Sequence, residues 1–76
     1  MKRVTLYTMN RCPHCETAKK YLDSQGVKYR LCNVSSPAGR KEFNQTGFRG
    51  VPVLKIGDQF LNGFSVKQFQ NMYKGS

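Results

Sequence analysis

Metal-ligand residues are scarce in this sequence, with three cysteines and one histidine among its 76 residues. One close cysteine pair without a second Cys or His cluster argues against an intrachain zinc site, which takes four such ligands. Acidic residues are scarce too, four Asp and Glu against thirteen Lys and Arg, leaving a formal net charge of +9. The cations are spread from Lys2 to Lys74 and no block of like charge appears. A solvated basic surface is therefore favoured over a dedicated nucleic-acid face. Such a field still draws acidic partners and anionic small molecules and raises their encounter rate. No hydrophobic run has the length of a membrane-spanning helix, so no membrane role is expected. Met1-Lys2-Arg3 leads into a strand pattern rather than an apolar signal segment, and export would need a leader. That points to the cytoplasm, where an isolated cysteine pair is usually catalytic or metal-binding rather than a structural staple. Repeats, linkers and low-complexity segments are also missing. One monomeric domain over 1–76 is expected, near the lower size limit for folding on its own core. The final Gly75-Ser76 fits either a frayed native end or a cloning remnant.

What is present is a regular alternation of short elements. Val4-Thr5-Leu6-Tyr7-Thr8 is a β-rich run. Pro13 suits a first helical position, where its missing N–H costs nothing. Cys15, Ala18, Tyr21 and Leu22 follow at helical spacing and Gly26 caps the end. Tyr29 to Val34 reads as a second strand. Ser35-Ser36-Pro37 starts a second helix over Ala38 to Thr46, ended by Gly47. Val53–Ile56 and Gln59–Leu61 flank a Gly57-Asp58 hairpin turn. Ser65 can cap a last helix with Val66, Phe69 and Met72 or Tyr73 turned inward. The order β-α-β-α-β-β-α predicts an α/β fold, with a parallel right-handed crossover followed by an antiparallel hairpin.

Chemistry enters at Cys12-Pro13-His14-Cys15, between the first strand and the first helix. Two cysteines three apart at a helix start can close a small disulfide ring or share a thiolate near the helix's free N–H groups. In a βαβ setting this spacing reads as a thioredoxin-like redox motif. Cys32 reads as a buried, inert core thiol and Tyr7 as a core aromatic.

With Val51-Pro52 and with Asn62-Gly63-Phe64 before the last helix, the motif makes the chain resemble the glutaredoxin family from Val4 to about Tyr73. The resemblance implies a thioredoxin-like fold with a four-stranded mixed sheet flanked by three helices. It implies that Cys12 is the exposed nucleophile, its thiolate favoured by the helix start, Arg11, Pro13 and His14, and that Cys15 is the buried resolving thiol. Pro52 is then a cis-proline that leaves the Val51 backbone open to a substrate segment. Gly63, Phe64 and Ser65 stand where the family holds the γ-glutamyl carboxylate of glutathione. Ser65 replaces the family's usual Asp, and Met9 its usual Lys, a charge that Arg11 or Arg49 could supply. The Pro13-His14 pair departs from the usual Pro-Tyr and resembles that of the DsbA-type oxidases, implying a dithiol more oxidising than thioredoxin.

The resemblance implies a glutathione-linked thiol-disulfide oxidoreductase with no tightly bound cofactor and no metal. Its co-substrate is glutathione and its partners are disulfide-bearing proteins. Gly47-Phe48-Arg49, Val51-Pro52-Val53 and Gly63-Phe64 also resemble the NrdH-type redoxins, which are reduced by thioredoxin reductase and feed ribonucleotide reductase. Two further readings are an iron–sulfur glutaredoxin, with Cys12 and glutathione ligating a cluster between two chains, and a basic nucleic-acid or scaffold protein.

Overall fold

The computed structural model describes residues 3–74. Met1, Lys2 and Gly75-Ser76, on which the readings of the chain ends rest, lie outside the described residues. The elements are β1 (Val4–Thr8), α1 (Pro13–Ser24), β2 (Arg30–Asn33), α2 (Pro37–Asn44), β3 (Val53–Ile56), β4 (Gln59–Asn62) and α3 (Val66–Lys74). The four strands form one sheet in the order β2-β1-β3-β4. β1 and β2 are parallel, and β3 pairs antiparallel with both β1 and β4. This is the expected mixed sheet with three helices.

The sheet has a deep face and a shallow one. On the deep face, Val4, Leu6, Leu54, Ile56 and Leu61 pack against Ala18 and Leu22 of α1 and Phe69 of α3. Helical spacing of Cys15, Ala18 and Leu22 gives α1 its buried stripe. Gly26 releases the chain with φ 68°, a conformation that favours glycine. On the other face, Tyr7, Cys32 and Val53 lie beneath Phe43 of α2. Ser36 caps α2 by accepting the Gly39 N–H at 3.1 Å, and Pro37 occupies the first turn.

Several details differ from the sequence expectation, among them the end of β4, which runs one residue further, to Asn62. Instead of reaching Thr46, α2 ends at Asn44, because the Thr46 hydroxyl (2.6 Å) and N–H (2.9 Å) both bond the Phe43 carbonyl. That tight i−3 turn takes the chain off the helical path. β2 spans only Arg30–Asn33; Tyr29 turns back to α1 through a 3.0 Å bond from its hydroxyl to Asp23. Val66, expected to face inward, is 40% exposed. Phe64 takes the place over α1 instead, with its ring 5.5 Å from that of Tyr21, so the inward line of α3 starts at Phe69.

Glu42 joins α2 to the sheet. It accepts the Tyr7 hydroxyl at 3.2 Å and pairs with Arg30. The hydrogen bond from Arg30 holds the Glu42 carboxyl below its ordinary value. The stabilisation is therefore complete above the unfolded carboxyl value and lost as pH falls through the lower folded one. In urea titrations, Glu42→Gln should unfold earlier than the parent near neutrality, by less than about 1 kcal/mol for so exposed a pair. The gap should close as pH falls below the ordinary carboxylate range. A gap that persists at the acid end would mean that charge is not its source.

Candidate functional site

Register decides which loops meet. β1 and β2 both end, β3 begins and β4 ends on the same side of the sheet, with Tyr7 beside Val53 and Val53 beside Asn62. The segments 9–12, 34–36, 47–52 and 63–65 therefore share one end of the fold. Ligand sites of α/β sheets favour this end, beyond the carboxyl ends of the parallel strands. Cys12, Val51-Pro52 and Gly63-Phe64-Ser65, far apart in sequence, are brought together there.

The thiols sit at the entrance of α1. Cys12 is its N-cap, with extended backbone (φ −112°, ψ 102°), and is half-buried. Its sulfur accepts the Cys15 N–H at 3.3 Å and the Cys15 thiol at 2.6 Å. Cys15, one turn on, is 1% exposed. Burial, reinforced by the hydrogen bond to Cys12, pushes the Cys15 thiol up. Contacts with the Thr8 side chain and the Met9 backbone pull the other way without prevailing. The pair is asymmetric: Cys12 is half-buried, and behind it lies a fully buried sulfur whose thiol is pushed up.

The loop leading to Cys12 is held by residues that the sequence did not single out for it. Asn10 donates its N–H to Ser35 Oγ at 3.2 Å. Asn33 Nδ2 reaches Asn10 Oδ1 at 3.2 Å, while Asn33 Oδ1 accepts the Ser35 N–H at 2.8 Å. Arg11, next in line, adopts φ 60°, a left-handed conformation uncommon outside glycine. The two bonds to Asn10 join residues more than twenty positions apart, so local pattern carried no sign of them.

Val51-Pro52 is a cis peptide bond, as expected. Pro52 is buried and its carbonyl accepts the Gly63 N–H at 2.9 Å, tying two of the loops together. Val51 is half-buried, and its own N–H and carbonyl have no partner among the described residues. Ser65 caps α3 with its hydroxyl oxygen, which accepts the Gln68 N–H at 3.4 Å. Met9 is 43% exposed on the rim. Pro13 is exposed, as are Arg11, His14 and Arg49; among the described residues none of those three charged or imidazole side chains hydrogen-bonds either thiol. Cys32 is 5% exposed, points its sulfur at the Gly39 carbonyl and has its thiol pushed up by burial, in keeping with an inert core position. Among the described residues no group of three His, Cys, Asp or Glu side chains is arranged to hold a metal ion, and no helix is long and apolar enough to cross a membrane.

Comparison with known proteins identifies relatives of the chain as a whole. A family model described as Glutaredoxin matches residues 4–61. Glutaredoxin-like protein NrdH of Escherichia coli K12 is 33% identical over 63 residues, which is 82% of this chain and 78% of the relative. Glutaredoxin of Neisseria meningitidis serogroup B is 37% identical over 68 residues, 86% of this chain and 80% of the relative. The structure of Escherichia coli NrdH-redoxin, described as a glutaredoxin-like protein with a thioredoxin-like activity profile, matches with a TM-score of 0.78 at 30% identity. That match covers 92% of this chain and 93% of that one.

Proposed function

This chain belongs to the glutaredoxin family, and from that premise we propose that Cys12 and Cys15 form a dithiol that reduces protein disulfides and glutathione mixed disulfides. The carrying observation is the asymmetry of the pair, a half-buried Cys12 with the fully buried Cys15 sulfur 2.6 Å behind it, its thiol pushed up by burial. The Cys12 thiolate attacks one sulfur of the substrate disulfide; the S–S bond breaks and its other sulfur leaves as a thiolate that takes up a proton. Cys15 then gives up its proton and attacks Cys12, releasing the second substrate sulfur and closing a Cys12–Cys15 disulfide. Two electrons have passed to the substrate, and a reductant must return them. The Val51 backbone offers strand-like bonds to the substrate segment beside its cysteine. A reducing cytoplasm suits a dithiol kept ready to donate.

Glutathione is the reductant we favour. The N–H groups of Phe64 and Ser65, at the start of the nine-residue α3, have no partner among the described residues and can receive its carboxylate. A protein reductase is the second reading. It is favoured by the apolar rim of Met9, Val51, Phe64 and Val66 and by the commitment of the Ser65 hydroxyl to capping α3. The test is turnover of one small disulfide with NADPH, glutathione and glutathione reductase, compared with NADPH and thioredoxin reductase. Turnover in the first system alone establishes the glutathione-linked reading, and in the second alone the NrdH-type reading. Turnover in neither overturns the dithiol function.

A further inference from the structure

The end of the sheet away from the thiols carries a surface that the redox chemistry does not use. There β2, β1, β3 and β4 set Arg30, Thr5, Lys55 and Phe60 side by side in one row. The neighbouring row, Cys32, Tyr7 and Val53, is covered by Phe43 of α2, whereas beside the Arg30 row α2 contributes Glu42, which pairs with Arg30. Two adjoining hollows of about 650 and 470 Å³ share Thr5, Arg30 and Lys55, and the larger is also lined by Arg3 and Lys28. Neither hollow is lined by Cys12, Pro52 or Gly63.

Four cations thus line the two hollows beside Thr5, with Glu42, Gln45 and Thr46 walling the smaller one. Glu42 answers Arg30 and Asp58 lines the larger hollow, while Arg3, Lys28 and Lys55 have no ion-pair partner among the described residues. Positions two apart along a strand repeat every ~6.6 Å, and alternate side chains of an extended peptide repeat at the same distance. Only Arg30, Thr5 and Lys55 of this group lie within strands, while Arg3 and Lys28 lie just before β1 and β2, so the match to an extended segment is one of charge, several carboxylates against four cations. A nucleic acid fits less well, because single strands need open aromatic faces for stacking. Phe60, the ring at the edge of this surface, already has Phe48 at 5.4 Å and the Lys55 ammonium 5.8 Å over its centre.

We propose that this surface docks an acidic, extended segment of the protein whose disulfide Cys12 attacks. The proposal rests on the dithiol reading and deepens it, giving the partner a second contact, set by charge and remote from the thiols. Docking of this kind steers encounter and selects partners.

The test uses the full chain and a fluorescent peptide of alternating Glu and Thr, with affinity read by anisotropy and no turnover. Lys28→Glu with Lys55→Glu should weaken binding by about tenfold or more, and Lys28→Gln with Lys55→Gln by an intermediate factor. Lys20→Glu with Lys41→Glu makes the same change in net charge on the helices and should weaken binding by less than about twofold. Equal losses in both charge-reversed pairs would reduce the effect to net charge and overturn the surface. Tighter binding of an oligothymidine strand, lost in the same variants, would overturn the acidic partner in favour of nucleic acid. Parallel reduction of a small disulfide separates the two levels. A parent protein that reduces it but ignores the peptide overturns the surface alone. One that binds the peptide but reduces nothing overturns the dithiol reading, and with it the partner named here.

Discussion

Cys12→Ser should lose disulfide reduction by more than about a thousandfold, since no second sulfur can take over the first attack. Cys15 cannot substitute, because it is 1% exposed and its thiol is pushed up by burial. Cys15→Ser should behave differently. The first exchange still occurs, but a serine hydroxyl cannot displace the product, and the protein accumulates as a mixed disulfide with its substrate. Mass spectrometry of the intact chain after incubation with oxidised glutathione shows the adduct directly. The same asymmetry should appear without mutation, as fast alkylation of Cys12 near neutral pH and slow alkylation of Cys15. Equal labelling, or an adduct that forms on Cys15 in Cys12→Ser, would reverse the roles assigned to the two thiols.

The largest stability effect should come from a change of one carbon. Gly39 lies where α2 crosses the end of β2, and a Cβ there would meet the Asn33 carbonyl oxygen at 1.9 Å, its carbon at 2.7 Å and Ser36 Oγ at 2.9 Å. The two nearest atoms are backbone, so no side chain can rotate out of the way. In an unobstructed helix, Gly→Ala is worth about 1 kcal/mol of added stability. Here overpacking against backbone should cost about 3 kcal/mol, the upper part of its usual span. The clash therefore wins, by about 2 kcal/mol, which lowers the midpoint of a domain this size by roughly 8–16 °C. Gly50→Ala is the control, since a Cβ there has nothing within 4 Å. It should stay within about 0.5 kcal/mol of the parent. A Gly39→Ala variant as stable as the parent would mean that α2 moves away from the sheet freely.

Features legible in the sequence were those settled within a few residues. Pro13 at a helix start, Ser36-Pro37 at another, Gly26 at a helix end and Gly57-Asp58 in a hairpin each act through local backbone chemistry, and each is found in place. The Cys12–Cys15 spacing likewise placed both residues at the start of α1. The cis geometry of Val51-Pro52 followed from family resemblance, because an isolated proline before a strand carries no such sign. What stayed hidden depends on groups that meet only after folding. Val66 has the right spacing to face inward, yet Phe64 occupies the place over Tyr21. The Thr46 hydroxyl stops α2 early through a carbonyl three residues back, a choice that helical periodicity does not register. The Asn10, Asn33 and Ser35 bonds and the row of Arg30, Thr5, Lys55 and Phe60 exist only through strand register.

The parts of the redox site are also laid down at different times. During synthesis, Cys12, Cys15 and Cys32 all leave the ribosome before Val53 to Ile56, the strand that lies beside β1 and brings Pro52 to the thiols. At ribosomal speed the wait between Cys15 and β4 is roughly 2–10 s. For that interval the nascent chain carries two thiols, then three once Cys32 is made, without the completed sheet that later separates a reactive sulfur from a resting one. Only with that sheet complete does the order of reactivity among the three sulfurs become a property of the molecule.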